Sequence, residues 1–141
     1  MTADCLPVVL VNADGSEVAN LHAGWKGLAH GIVENTIAAM QSQPVVAWLG
    51  AAISQDCFEI GAEVKTAFCS KYPELETAFK IGVKAGKYYA DLYAIATYIL
   101  KLHGIETVFG GDQCSFSQAD QYYSYRREAK TGRMATFVFM A

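Results

Sequence analysis

Residues 6–22, with the sequence LPVVLVNADGSEVANLH, carry the strongest structural signal in this 141-residue chain. The run Leu6–Asn12 is almost entirely apolar, which is typical of a buried β-strand. An Asp-Gly pair at 14–15 predicts a tight turn, and residues 17–22 form a second strand candidate. We therefore expect a β-hairpin. Because a buried strand needs two neighbours, we also expect a partner strand from upstream sequence or from another copy in a homo-oligomer.

The remaining sequence alternates between helical and strand-like patterns without a strict order. The 3.6-residue period of apolar positions at 89–103 predicts a helix, with Asp91 as its N-cap. The other predicted elements are helices at 28–42 and 61–72 and strands at 45–49, 106–109, 121–125 and 134–140. This pattern, with a hairpin at each end, indicates an α+β fold in which layered mixed β-sheets are flanked by helices.

The composition excludes several classes of protein. With 52% hydrophobic and 18% charged residues the chain is globular rather than disordered, and its net charge of -3 offers no basic surface for nucleic acid. The longest uncharged apolar run, 6–11, is too short to span a bilayer, and the first residues lack a basic signal region. We expect a cytoplasmic protein with no membrane or nucleic-acid partner, and four cysteines that are mostly reduced.

Cys5 and His22 are the first candidates for chemistry. They flank the predicted hairpin, which would bring an early residue of one strand near a late residue of the other. A thiolate and an imidazole can be metal ligands, for zinc or for copper, or they can be a nucleophile and its general base. Structural roles for an isolated cysteine and histidine are the alternative.

A glycine-bracketed loop at 23–27 is the second candidate. Gly24 would let the backbone approach a ligand, and Lys26 would place a positive charge near the start of the helix that follows. These features suggest a phosphate site. The alternative is a tight turn with a solvated lysine, in which Trp25 anchors the core.

The segment 122–128 is the third candidate, because it combines several tyrosines with Arg126 and Arg127. Tandem arginines suit bidentate recognition of phosphate or carboxylate, and tyrosine rings can stack on a purine. The alternative is a strand end whose arginines pair with surface acids.

Taken together, these segments resemble the laccase-domain, or multicopper polyphenol oxidase, family. Its members are also called purine nucleoside phosphorylases and peptidoglycan editing factors. The matching segments are TADCLP (2–7), LHAGWKGLA (21–29), WLGAAI (48–53), CFE (57–59), SYRR (124–127) and TGRMAT (131–136). Lys26 stands where the family usually has arginine, and the loop at 54–56 is reshaped. The resemblance implies a fold like the catalytic domain of cytotoxic necrotizing factor.

The resemblance also implies a metal site, usually zinc, with Cys5 and His22 as two ligands. The third ligand is a histidine upstream of the TADC motif, and no position of this sequence corresponds to it. We therefore expect residues 1–141 to be the C-terminal part of a single laccase-type domain, with N-terminal strands missing.

The activity implied by the resemblance is phosphorolysis of purine nucleosides, together with adenosine deamination. Inorganic phosphate would be the co-substrate, bound by Gly24, Trp25 and Lys26 and by Arg126 and Arg127. The alternatives are a cysteine hydrolase acting on peptidoglycan precursors, a copper-dependent polyphenol oxidase, and an inactive fragment. Three histidines are few for a self-contained multicopper centre, which argues against the oxidase.

Overall fold

The computed structural model describes residues 1–140, which form two β-sheets and four α-helices. The strands are β1 (Leu6–Asn12), β2 (Val18–Ala23), β3 (Pro44–Leu49), β4 (Glu59–Gly61), β5 (Phe79–Ile81), β6 (Lys87–Ala90) and β7 (Thr107–Gly110). The helices are α1 (Trp25–Ala29), α2 (Ile32–Ala39), α3 (Ala62–Cys69) and α4 (Leu92–Leu102), and two 3₁₀ helices span Gln55–Cys57 and Pro73–Ala78. The predicted α+β class with mixed sheets is confirmed, whereas the likeness to the necrotizing-factor domain stays a prediction.

The larger sheet has the strand order β2-β1-β3-β7. β1 is antiparallel to both β2 and β3, and β3 is parallel to β7. The predicted hairpin is thus confirmed. The expectation that β1 takes a neighbour from upstream sequence or from another copy is wrong, because β2 and β3 pair with it on its two sides.

The two faces of this sheet are covered differently. Leu6, Val8 and Leu10 of β1 are fully buried in the hydrophobic core that the sheet shares with the helices. Val9, on the opposite face, lies near Trp48 and the C-terminal segment around Phe137. The alternation along β1 therefore places the helical layer on one side and an extended C-terminal segment on the other.

A second, smaller sheet has the order β4-β6-β5, with both pairings antiparallel. None of its strands was predicted as a strand. The flanking strands β4 and β5 have three residues each, which is too short to display an alternating pattern in the sequence.

The helix predicted at 28–42 is two helices, α1 and α2. The break lies at Gly31, whose φ of 82° is in the left-handed region that glycine adopts without steric cost. The first of the two begins three residues earlier than expected, at Trp25, and has only five residues.

Helix α4 confirms its prediction most closely. The Asp91 side chain accepts a hydrogen bond from the Ala94 amide at 2.9 Å and caps the N-terminus. Its apolar face is buried, with Leu92, Ile95, Ala96, Ile99 and Leu100 in the core. None of the helices in residues 1–140 is long and apolar enough to cross a bilayer.

The strands predicted at 121–125 and 134–140 are wrong. These residues form turns and extended segments, with a single β-bridge between Thr2 and Met134. The backbone groups at 121–125 are instead satisfied by turn hydrogen bonds, such as those that the Gln121 and Tyr122 amides donate to the Gln118 carbonyl. The C-terminal segment nevertheless returns to the first residues of the chain, and this return assembles the candidate site.

Candidate functional site

Cys5 and His22 lie next to each other on the β1–β2 hairpin. Cys5 directly precedes β1, and the pairing of Leu6 with Ala23 places it opposite Gly24. A Cβ atom on Gly24 would lie 2.8 Å from Cys5 Sγ and 3.9 Å from His22 Cδ2. Both side chains therefore reach one point beside the glycine, and only the absence of a side chain at position 24 leaves that space free.

Cys5 also lines a cavity of about 180 Å³. Apolar and aromatic side chains form most of its wall, and the polar groups are few. It is lined by Ala3, Asp4, Cys5, Trp25, Ile53, Phe58, Leu92, Tyr125 and Arg126. An apolar pocket with a few converging polar groups is the usual form of a small-molecule site.

Asp4 holds the walls of this cavity together. Its carboxylate accepts one hydrogen bond from the Ser115 hydroxyl at 2.7 Å and one from the Arg126 amide at 2.7 Å, while its carbonyl accepts from the Ile53 amide at 3.0 Å. Asp4 is buried and has a φ of 86°, the only non-glycine positive φ in the described residues. Three distant segments are thus fixed beside Cys5 by one strained residue.

The Cys5 thiol is poorly suited to ionise on its own. Burial raises its pKa above the ordinary value, and the Asp4 carboxylate raises it further. A cation bound at the sulfur would reverse this preference, because a coordinating thiol is deprotonated outright. The electrostatics therefore agree better with a metal ligand than with a free thiolate nucleophile.

The two predicted arginines play different parts. Arg126 lines the cavity, with its guanidinium carbon 5.1 Å from the Phe58 ring centroid and a 2.8 Å hydrogen bond to the Glu59 carbonyl. Arg127 instead donates hydrogen bonds to backbone carbonyl groups of Ser115, Phe116 and Tyr122, each at 2.7 Å. These bonds give Arg127 a structural role in holding the loop that carries Ser115.

Two predicted binding residues of the loop at 23–27 also differ in position, one at the cavity and one at the surface. Trp25 lines the cavity beside Cys5, whereas Lys26 is exposed, with its ammonium 5.7 Å from the Trp25 ring centroid. Gly24 is the N-cap of α1 but makes no side-chain cap. Because α1 is short, its dipole adds less to an anion site than the longer predicted helix would.

The residues present fit a zinc ion in kind but not in number. Zinc accepts thiolate and imidazole ligands, and catalytic sites use three protein ligands with one open position. Cys5 and His22 offer a sulfur and an imidazole ring that both lie beside Gly24. Within residues 1–140 no three His, Cys, Asp or Glu side chains are grouped so that they could hold a metal.

Sequence reasoning missed two members of the site. Asp4 lies inside the TADC motif but carried no predicted role, and Phe58 lies in the CFE motif. A short acidic residue directly before a candidate ligand was the available signal for Asp4. The other histidines, His30 and His103, are the C-cap residues of α1 and α4 and do not line the cavity.

Comparison with known proteins places these motifs in a family. The family model described as multi-copper polyphenol oxidoreductase laccase matches residues 1–141. The protein named purine nucleoside phosphorylase YfiH from Escherichia coli is 44% identical over 143 residues, covering 99% of this chain and 58% of that protein. A protein named adenosine deaminase RL5, from an unknown prokaryotic organism, is 32% identical over 98% of this chain and 56% of its own length.

A solved structure agrees with these sequence relationships. The crystal structure of a Neisseria meningitidis protein of the DUF152 family is 52% identical and superposes with a TM-score of 0.89. The match covers 94% of this chain and 55% of that protein. The chain thus spans somewhat more than half the length of the proteins that it matches.

Proposed function

The chain belongs to the multi-copper polyphenol oxidoreductase laccase family, and on that basis we propose that it forms part of an enzyme that cleaves purine nucleosides with phosphate. The names of its relatives, purine nucleoside phosphorylase and adenosine deaminase, support a nucleoside as the substrate. In this proposal residues 1–141 are the C-terminal part of one domain; they cover 58% of the length of the Escherichia coli relative.

The observation that carries the proposal is the cavity beside Cys5. Its wall combines the aromatic rings of Trp25, Phe58 and Tyr125 with a single guanidinium group, that of Arg126. Flat aromatic faces suit a purine, and a guanidinium suits a phosphate or a developing negative charge.

We assign the charged groups of the site as follows. Arg126 orients phosphate or the sugar from the cavity wall, and Lys26, with Gly24 at its side, supplies a second positive charge at the entrance to α1. Arg127 acts indirectly, because its guanidinium donates to backbone carbonyls and so holds the Ser115 loop, which contacts Asp4. Its contribution would be the position of the cavity wall rather than contact with the substrate.

A zinc ion held by Cys5, His22 and a third ligand from outside residues 1–141 would supply a Lewis acid with one open position. Copper is the metal that the family name suggests, and the same two donors accept it. Asp4 and Gly24 would position Cys5 as a ligand. Asp4 fixes the segment that carries Cys5, and Gly24 leaves room for the Cys5 sulfur.

The cysteine-hydrolase alternative has less support. A nucleophilic cysteine needs a lowered pKa, whereas both burial and Asp4 raise the pKa of Cys5. A metal-ligand role needs neither a low intrinsic pKa nor a general base.

The test is the release of a free base. The protein, together with the segment proposed to supply the third ligand, is loaded with zinc and incubated with inosine and phosphate, and hypoxanthine is measured by chromatography. We expect phosphate-dependent release that His22→Ala abolishes and that the matched variant His30→Ala leaves unchanged. Release that does not depend on phosphate, or that survives His22→Ala, would overturn the proposal.

A further inference from the structure

Cys114 directly precedes Ser115, whose hydroxyl donates a hydrogen bond to Asp4, and its sulfur has an unusual environment. Its sulfur accepts hydrogen bonds from the Ser54 hydroxyl at 3.0 Å, the Ser54 amide at 3.4 Å and the Ser117 amide at 3.5 Å. Three donors directed at one sulfur stabilise the negative charge of a thiolate. A buried cysteine that serves only as a small apolar residue has no need of such donors.

A second cysteine lies beside it. Residues Gln55–Cys57 form a 3₁₀ helix in which the Cys57 amide donates to the Ser54 carbonyl at 3.1 Å. The Cys57 thiol lies within hydrogen-bond reach of the Ser54 hydroxyl and of the Cys114 sulfur, and the same hydroxyl contacts Cys114 at 3.0 Å.

The pKa values of the two thiols are shifted in opposite directions, downward at Cys114 and upward at Cys57. Burial alone would raise the pKa of Cys114, but hydrogen bonds from Ser117 and Ser54 outweigh it and lower the pKa to about 6. Burial raises the pKa of Cys57, and the adjacent Cys114 raises it further. The surroundings therefore favour ionisation at Cys114 and the protonated thiol at Cys57.

A small reagent can reach this pair. Cys114 is 8% exposed and lines a cavity of about 270 Å³. The exposed residues Asp56, Lys80 and Asp112 form part of the cavity wall. The opening admits small molecules, and the low exposure of the sulfur restricts access by large ones.

We propose that Cys114 and Cys57 form a peroxide-reactive cysteine pair, with Cys114 as the attacking sulfur and Cys57 as the resolving one. The Cys114 thiolate attacks the terminal oxygen of a hydroperoxide, the O–O bond breaks, and the alcohol or water leaves with a proton, which gives a sulfenic acid. The Cys57 sulfur then attacks the Cys114 sulfur. An S–S bond forms, the S–O bond breaks and water leaves, so that the two thiols together supply two electrons to the peroxide.

The pair is connected to the nucleoside cavity through the backbone. Cys57 directly precedes Phe58, which forms part of the wall of that cavity, and Cys114 directly precedes Ser115, the partner of Asp4. A disulfide between them would tie these two segments together. Oxidation is therefore expected to change the cavity wall without any reaction at Cys5.

The experiment treats the protein with hydrogen peroxide at pH 7, counts free thiols after denaturation, and maps linked peptides by mass spectrometry. We expect two of the four thiols to be lost, with a mass decrease of about 2 Da and a single linkage between Cys57 and Cys114. The matched variant Cys69→Ser, which removes another half-buried cysteine, should form the same linkage.

The variant Cys57→Ser separates the roles of the two sulfurs. It should form no disulfide, and Cys114 should gain about 32 Da by oxidation to the sulfinic acid, about tenfold faster than Cys69. Four intact thiols in the treated wild type, linkage to Cys5 or Cys69, or equal oxidation rates at Cys114 and Cys69 would overturn the proposal. None of these outcomes depends on nucleoside cleavage, so the two proposals can fail separately.

Discussion

Cys5 and Cys114 are each the chain neighbour of one partner in the same hydrogen bond: Cys5 follows Asp4, and Cys114 precedes Ser115. Cys5 follows a carboxylate, and both burial and that carboxylate raise its pKa. Cys114 is buried too, but the donors of Ser54 and Ser117 lower its pKa to about 6. The groups around the sulfur, rather than burial, decide whether a buried thiol stays protonated until a cation binds or ionises without one.

The Asp4 carboxylate and the donors of Ser54 and Ser117 therefore have separate effects. We expect changes around Asp4 and Gly24 to alter the assembly of the Cys5 site, and changes around Ser54 to alter the reactivity of Cys114. Four experiments test this division, beginning with the residue that the two regions share.

Replacing Asp4 by alanine should have the largest effect. The Ser115 hydroxyl and the Arg126 amide lose a buried charged acceptor, and alanine is less favourable than aspartate at a positive φ. We expect the free energy of unfolding to fall by about 3 kcal/mol, measured by urea denaturation. The exposed Asp120→Ala should change it by less than about 0.5 kcal/mol. Equal stability of the two variants would show that Asp4 does not join the regions.

Replacing Arg127 by lysine tests the Cys114 side. A single ammonium cannot reach the carbonyls of Ser115, Phe116 and Tyr122 together, so the variant should lose about 2 kcal/mol of stability. Arg126→Lys loses one exposed hydrogen bond and should cost less than about 0.5 kcal/mol. If both variants melt alike, the structural role given to Arg127 is wrong.

Replacing Gly24 by alanine tests the Cys5 side. Its φ of -66° permits alanine, but the new Cβ would lie 2.8 Å from Cys5 Sγ and push the sulfur aside. We expect zinc affinity, measured by competition with a chromogenic chelator, to fall about tenfold. Cys114→Ser should leave the affinity unchanged, and a loss in that variant instead would reverse the assignment of the metal to Cys5.

Replacing Ser54 by alanine should have the smallest effect. It removes the hydroxyl donor at 3.0 Å and keeps the amide donor at 3.4 Å, so the pKa of Cys114 should rise from about 6. The alkylation rate of Cys114 by iodoacetamide, followed against pH, gives the midpoint. A midpoint that does not move would show that Ser54 is not the controlling donor.

The same pKa has a consequence for stability. Because the folded-state pKa of Cys114 lies below its ordinary value of 9.0, ionisation stabilises the fold fully above pH 9, and this stabilisation is lost as pH falls towards 6. The wild type should therefore gain stability between pH 6 and 8 more steeply than Cys114→Ser.

Local patterns in the sequence predicted the larger elements well. The apolar run of β1 and the 3.6-residue period of α4 reflect burial of the element itself, so both were visible without the rest of the chain. The three-residue strands β4 and β5 were too short to be recognised. The strand predicted at 121–125 was wrong, since the backbone groups there are satisfied by turns and by Arg127.

The site was predictable in part for a different reason. Cys5 and His22 lie 17 residues apart on one hairpin, so the turn at 12–15 already brings them together. The role of Asp4 was not predictable, because its partners Ser115 and Arg126 lie 111 and 122 positions further along the chain. No local pattern reports a contact of that separation.

The long reach of Asp4 also sets the order of events during synthesis. The hairpin and the pair Cys5–His22 lie within residues 1–24, but the cavity wall closes only after Arg126 has been added. Closing a loop of this length carries an entropic cost that is repaid only when the distant segments dock. A chain that ends before Arg126 would present Cys5 and His22 without the complete cavity, so binding of the proposed nucleoside would depend on docking of the C-terminal segment.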